Sequence, residues 1–328
     1  MIDRFSIFLF ILLFSCNDLE KGPNDDEVLL GCTDLDASNY SVEANTDDGS
    51  CEYSGCMDPQ SANYDSMATI DNGNCIDDYV IPEGFSYFWN DEFNSDSLPS
   101  RYWNIEIRWP GFVNNESQSY TDNEANIFIR EGKLHIRALK DNPFNPNQPA
   151  YTSGRINTKG KVELQYGFWE IRAKLPSGVG TWPAIWMLNS NIDSVGWPNC
   201  GEIDIMEHVG HQPEHVFFNI HNASSYGDLH GTSQQGVYEL EDIEDDFHTY
   251  SMEWDSTYIK AFVDGNLFYN YIRPEASNSS NWPYDNPFFL IINLAIGGEW
   301  GGQQGIDNSI FPATFIVDYV RIYKKQNS

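Results

Sequence analysis

From about residue 80 onward, apolar positions come in short runs of four to ten residues, separated by clusters of Gly, Pro, Asn and Asp. Within runs such as KLHIRAL (133–139) and YIKAFVD (258–264), apolar and polar side chains alternate. A period of two marks a β-strand with one buried and one solvated face. On this basis FSYFWNDEF (85–93), NIFIR (126–130), KLHIRAL, YGFWEIRAKL (166–175), HVFFNIHN (215–222), YIKAFVD and TFIVDYVRIY (314–323) are expected strands. Glu131-Gly132 and Asp264-Gly265 fall between runs and are expected hairpin turns, because acidic-Gly pairs tolerate the left-handed backbone of a tight turn. No long helical period interrupts the pattern. The expected fold class is all-β: two antiparallel sheets stacked face to face, one of them concave and forming an open cleft.

One stretch breaks the alternation. GEIDIMEHVG, residues 201 to 210, sets Glu202, Asp204 and Glu207 among Ile203, Ile205 and Met206. In a regular strand Glu202 and Asp204 share a face, Ile203 and Ile205 take the other, and Glu207 lands with the isoleucines. One extra residue at Ile205 or Met206, a β-bulge, returns Glu207 to the acidic face. Two outer carboxylates so arranged suit glycosidic bond cleavage, one attacking the anomeric carbon or activating water and the other protonating the leaving oxygen. Their backbone positions are at most about 13 Å apart along a strand. Long Glu side chains on a concave sheet can bring the carboxyl groups toward the roughly 5–5.5 Å of a retaining enzyme. The competing reading is a solvated strand face that does nothing. Such two-carboxylate chemistry needs no cofactor.

Charge narrows the partners. A net charge of −31 over 328 residues repels nucleic acid and leaves a neutral polysaccharide unaffected. Sixteen acids and one Lys lie in residues 17–80, which marks a solvated module outside the main core. At the N-terminus, Arg4 precedes the apolar run FSIFLFILLF at 5–14, too short to span a bilayer and followed by Ser15-Cys16. That is a signal peptide, and LLFSC at 12–16 resembles a bacterial lipobox, implying cleavage before Cys16 and lipidation of its thiol. An ordinary signal peptide cut nearby is the alternative. The expected location is the bacterial membrane, at the outer membrane or cell surface.

The cysteines repeat the message of export. Cys32 and Cys51 are nineteen positions apart, as are Cys56 and Cys75, and the segments GCTDLDASNYSVEANTDDGSC and GCMDPQSANYDSMATIDNGNC align with a period of 24. Units so poor in apolar residues need an internal staple, so each is expected to hold its own disulfide. The domain layout is then a leader (1–16), an acidic linker (17–30), two repeats (31–78) and a β-sandwich (80–325). Asp-rich turns that bind nothing are the favoured reading of the repeats, with Ca²⁺ binding the alternative. Cys200 is left over and reads as a small buried hydrophobe.

Over residues 85–325 the chain resembles glycoside hydrolase family 16 in its laminarinase-like branch. The resemblance is carried by ExDxxE at Glu202–Glu207, GTWPAIWML at 180–188, YTSGRINTKG at 151–160, LIINLAIGGEWGG at 290–302 and VDYVRIY at 317–323. It implies a jelly-roll β-sandwich and retaining endo-hydrolysis of β-1,3-glucan, with Glu202 as nucleophile, Glu207 as acid/base and Asp204 between them. Trp182 and Trp186 share strand parity, so both rings can stack on sugars from one side. By resemblance, Trp109 and Trp300 are further sugar platforms, Asn115, Glu116 and Arg155 line the cleft, and His221 lies near the acid/base. Asn293 and Glu299 flank the Gly-Gly turn as further contacts. The resemblance also implies a structural Ca²⁺ held by Asp318 with backbone oxygens at Glu92 and Gly132. Alternatives within the family act on mixed-linkage β-glucan, agar or carrageenan or transfer glycans; outside enzymes, a non-catalytic glycan-binding protein keeps the sandwich.

Overall fold

A computed structural model describes residues 28–59, 61, 64–71, 75, 80–140, 151–225 and 234–326. The leader, Cys16 and most of the acidic linker lie outside the described residues. Two compact units form. In the smaller, Leu30–Gly31 pairs in parallel with Thr46–Asp47, and Cys32 is bonded to Cys51 with their Cα atoms 4.8 Å apart. The second repeat uses the same device at equivalent positions: Ser54–Gly55 pairs with Ile70–Asp71 and Cys56 is bonded to Cys75.

The boundary between units does not follow the repeats. It falls between them, because the larger unit takes Glu52–Ser328 and with it the whole second repeat. Asp65 of that repeat accepts hydrogen bonds from Arg101 and from the Tyr102 hydroxyl, both at 2.7 Å. Tyr64 meets Tyr87 edge-on at 4.9 Å, and the Tyr87 hydroxyl donates to the Tyr64 carbonyl. A part-buried charge-assisted pair and an aromatic contact hold the second repeat to the sandwich. It is therefore more than a solvated spacer.

Among the described residues the sandwich has a ten-stranded and an eight-stranded sheet. The larger runs in the order Asn266–Ile272, Tyr258–Val263, His248–Trp254, Gly167–Lys174, Ala313–Lys325, Lys133–Lys140, Tyr151–Ser153, Gln118–Tyr120. Phe85–Asp91 and Ile127–Arg130 attach beside this path. The smaller runs Gln234–Glu239, His215–His221, Glu202–Glu207, Thr181–Asn189, Phe288–Ile296, Arg155–Asn157, Asn104–Ile105, with Glu163–Leu164 on Phe288–Ile296. Each expected strand is present within a few residues of its limits. Both expected turns have positive φ at both positions, 54° and 64° at Glu131-Gly132 and 48° and 74° at Asp264-Gly265.

Alternation fills the space between the sheets. Along Gly167–Lys174 the residues Trp169, Ile171 and Ala173 point inward and are fully buried. Phe288–Ile296 is buried on both faces: Phe288, Leu290, Ile292, Leu294 and Ile296 join the core, while Phe289, Ile291, Asn293 and Ala295 form a cleft floor. Burial on both sides explains why FFLIINLAI reads as almost unbroken apolar sequence.

Glycines bracket the acid strand because its ends approach neighbouring side chains or backbone too closely for a Cβ. At Gly201 φ is +85° and a Cβ would meet Pro283 at 2.6 Å. At Gly210 a Cβ would lie 1.9 Å from the Gly178 carbonyl oxygen, a contact that no rotamer change relieves. Gly210→Ala should therefore lower stability by about 2–3 kcal/mol, read as a fall in denaturation midpoint. An unchanged midpoint would mean that the two loops are not packed as described.

Candidate active site

The strand Glu202–Glu207 contains the bulge. Asp204 pairs with Asn219 and Glu207 with Phe217, three positions against two, so the register slips between them. On the other side Met206 pairs with Ile185 and Asp204 with Trp186, again skipping Ile205. The extra residue lets Ile203, Ile205 and Met206 all enter the core while Glu202, Asp204 and Glu207 all line one cleft of about 740 Å³. The strand alternation, resumed after the bulge, delivers the expected three acids.

Each acid is held differently. Glu207 accepts the Trp182 indole N–H at 3.0 Å on one oxygen and the Asn219 amide N–H at 2.5 Å on the other. His221, directly opposite Glu202 in the neighbouring strand, brings Nε2 to 3.1 Å from Asp204 and 4.0 Å from Glu202. Burial pushes the Glu202 carboxyl up to about 8, and the nearby Asp204 adds to this while His221 opposes it. Asp204 is raised well above its ordinary range, first by burial and then by Glu207, while a hydrogen bond from Glu202 acts against the rise. Both carboxyls therefore resist ionisation in the free cleft.

The sugar-facing wall is aromatic. Trp182, Ala184 and Trp186 all line the cleft, as their shared parity requires. Trp186 donates to Asn293 at 2.7 Å, and Asn293 in turn accepts no slack: its amide donates to the Tyr120 hydroxyl at 3.1 Å, which donates to Glu116 at 3.1 Å. Glu116 is buried, and burial raises its carboxyl. Arg155 stacks 4.8 Å from the Trp186 ring and pairs with Glu106 at 3.2 Å. Glu116, Arg155 and Asn293 therefore line the cleft as expected and also fix Trp186.

Other expected contacts lie elsewhere. Asn115 is exposed and donates to Glu299 at 2.7 Å, and neither residue lines the main cleft. Asn114 does, because consecutive left-handed residues at 114 and 115 (φ 48° and 51°) undo simple alternation. Trp300 backs Trp182 edge-on at 5.6 Å and touches Phe217 at 4.9 Å, so it buttresses a platform and does not line the cleft floor. Trp109 is 68% exposed at the rim and meets Phe112, whose ring does line the cleft. Residues missed from sequence are Trp197, a half-exposed ring in the cleft wall, Glu106, and Asn219, the Glu207 donor. No motif marks them; Asn219 was findable only as the cross-strand neighbour of Asp204. Cys200 is buried and its thiol is pushed up to about 11, chiefly by burial, which keeps it inert.

The one side chain expected to hold a calcium ion is paired with protein cations. Asp318 faces Arg172 with one oxygen and Lys133 with the other at 3.2 Å. Gly132 occupies the left-handed corner of its hairpin. An ion at Asp318 would have to displace two cations, and no chemistry below passes through it.

A row of buried carboxyls on a cleft floor, faced by indole rings, defines a carbohydrate-cleaving β-sandwich. Residues 112–320 match the Glycosyl hydrolases family 16 pattern. The chain is 44% identical over 245 residues to a beta-glucanase of Rhodothermus marinus, covering 72% of this chain and 84% of that one. It is 35% identical over 249 residues to a glucan endo-1,3-beta-glucosidase of Cryptopygus antarcticus, covering 71% and 90%. In three dimensions it is similar to the laminarinase from Rhodothermus marinus, with a TM-score of 0.70 and 41% identity over 74% of this chain and 98% of that one. The chain belongs to glycosyl hydrolase family 16, and its sandwich is of the jelly-roll kind.

The raised Glu202 carboxyl makes a stability prediction. A carboxyl whose pKa is raised on folding, from 4.5 to about 8 at Glu202, costs nothing below pH 4.5. Between those limits the unfolded chain ionises and the folded one resists, so stability is progressively lost as pH rises, up to the folded value. Glu202→Gln should therefore leave the thermal midpoint little changed near pH 4 and raise it increasingly toward pH 8, on the order of 1.4 kcal/mol per unit of upward shift removed. A difference between the two proteins that does not vary with pH would contradict the raised carboxyl.

Proposed function

We propose that this protein is an exported, lipid-anchored, retaining endo-glycosidase that hydrolyses β-1,3-glucan. The observation that carries the reading is the bulged strand, with Glu202, Asp204 and Glu207 together beneath Trp182 and Trp186. The substrate class is supported by the relatives, whose names include glucan endo-1,3-beta-glucosidase and laminarinase.

In the first step the ionised Glu202 attacks the anomeric carbon while Glu207 gives its proton to the leaving oxygen, and the glycosidic bond breaks. A water then attacks the same carbon, Glu207 takes its proton, and Glu202 departs as a carboxylate. Burial and the neighbouring acids raise the Glu202 carboxyl, so it must give up its proton before the attack. Asp204, between the two glutamates, orients Glu202 and shares its proton or charge, and His221 favours ionised Glu202. Trp182, bonded to Glu207, couples sugar stacking to the position of the acid.

Laminarin digestion should release reducing ends along the whole chain, separating an enzyme from a glycan-binding protein. Glu207→Ala should lose at least about 100-fold on laminarin and far less in the glycosylation step with a glucoside whose aryl leaving group needs no proton. Equal loss on both substrates would reverse or remove its role.

Export rests on Arg4, the apolar run at 5–14 and the LLFSC sequence. In a bacterial host the chain should incorporate labelled fatty acid, and Cys16→Ala should abolish the label and release the protein from membranes. Label retained in that variant would exclude Cys16 as the anchor.

A further inference from the structure

Glu202, Asp204 and His221 each direct one donor atom to a common point, all three within 4.8 Å of one another. The imidazole Nε2 is 3.1 Å from the nearer Asp204 oxygen and 4.0 Å from Glu202 Oε1. Donors bound to an ion at about 2.0–2.2 Å in tetrahedral array lie roughly 3.3–3.6 Å from each other. The three atoms bracket that spacing on a rigid frame, since Glu202 and His221 are direct cross-strand partners and Asp204 faces Asn219 in the same ladder.

A second observation points to a cation. Asp204 is 3% exposed, lines the cleft, and its Oδ2 has no hydrogen-bond partner of adequate geometry, although His221 lies close by. A buried carboxylate oxygen left in that state is costly, and a positive ion is the ligand that relieves it. Two carboxylates and one imidazole, with a fourth position open to the cleft, suit Zn²⁺ or Cu²⁺; Mg²⁺ and Ca²⁺ prefer all-oxygen cages with more ligands.

We propose that Glu202, Asp204 and His221 form a binding site for a divalent ion of the zinc class, which occupies the nucleophile and competes with the sugar. The ion is an inhibitor and takes no part in hydrolysis. Metal binding follows from the donor geometry alone. Competition with substrate rests additionally on the proposed hydrolase function, so the two are measured separately.

Co²⁺, a visible-absorbing stand-in for Zn²⁺, is titrated into the full chain, and Zn²⁺ binding is followed by calorimetry. The expected result is a saturable Co²⁺ absorption band that Zn²⁺ and laminari-oligosaccharide each displace. His221→Gln should weaken the affinity at least about tenfold, with Asp204→Asn as a second variant should the first fail to fold. In laminarin digestion Zn²⁺ should raise the apparent KM and leave kcat unchanged, while Mg²⁺ should do neither. Affinity unchanged in a folded His221→Gln protein would overturn the site, and a band that the oligosaccharide fails to displace from a protein that hydrolyses laminarin would overturn the competition. A band lost in His221→Gln without any laminarin hydrolysis would uphold the metal site and refute the proposed function instead.

Discussion

The function of this molecule depends on one unpaired step in a hydrogen-bond ladder, the bulge between Asp204 and Glu207. Without it, the pleat would bury Glu207 against the core and expose Met206 to the cleft. The bulge is stabilised by what it buries: Ile205 and Met206 are both enclosed, so the irregular backbone is offset by apolar packing behind it. The core on one side of this sheet therefore enforces the acid row on the other.

Crowding three carboxyls on a low-dielectric floor has an electrostatic consequence, because like charges a few ångströms apart cannot all ionise. Burial and mutual repulsion raise both the Glu202 and the Asp204 carboxyls. Glu207 is held by the Trp182 and Asn219 donors. Strain of this kind is a stability loss tolerated for the sake of chemistry. The same crowding makes the row attractive to a competing cation.

Around the acids, most polar groups serve to hold aromatic surfaces still. The chain from Trp186 through Asn293 and Tyr120 to Glu116 is a continuous line of buried hydrogen bonds, and Arg155 packs on the same indole. A sugar platform is useful only if its ring plane is fixed, since stacking is directional. Glu116 and Arg155 thus act as much by orienting Trp186 as by offering hydrogen bonds to a sugar. At the N-terminal side, the two repeats have equivalent folds yet belong to different units, because Asp65 and Tyr64 find partners on the sandwich.

The sequence by itself determined the strands, the two hairpin turns, the disulfide pairing of the repeats and the need for a bulge, because each follows from local periodicity or spacing. It also marked Trp182 and Trp186 as sharing a face. Only the tertiary structure decided which polar groups meet across strands: Asn219 on Glu207, Trp300 behind Trp182, Asn114 in place of Asn115 at the cleft, and Asp318 between two cations. The physical reason is that period and propensity act between neighbours in the chain. Register, crossings and left-handed corners determine which distant side chains share one volume, and with them how strongly burial and neighbours raise the acids of the row.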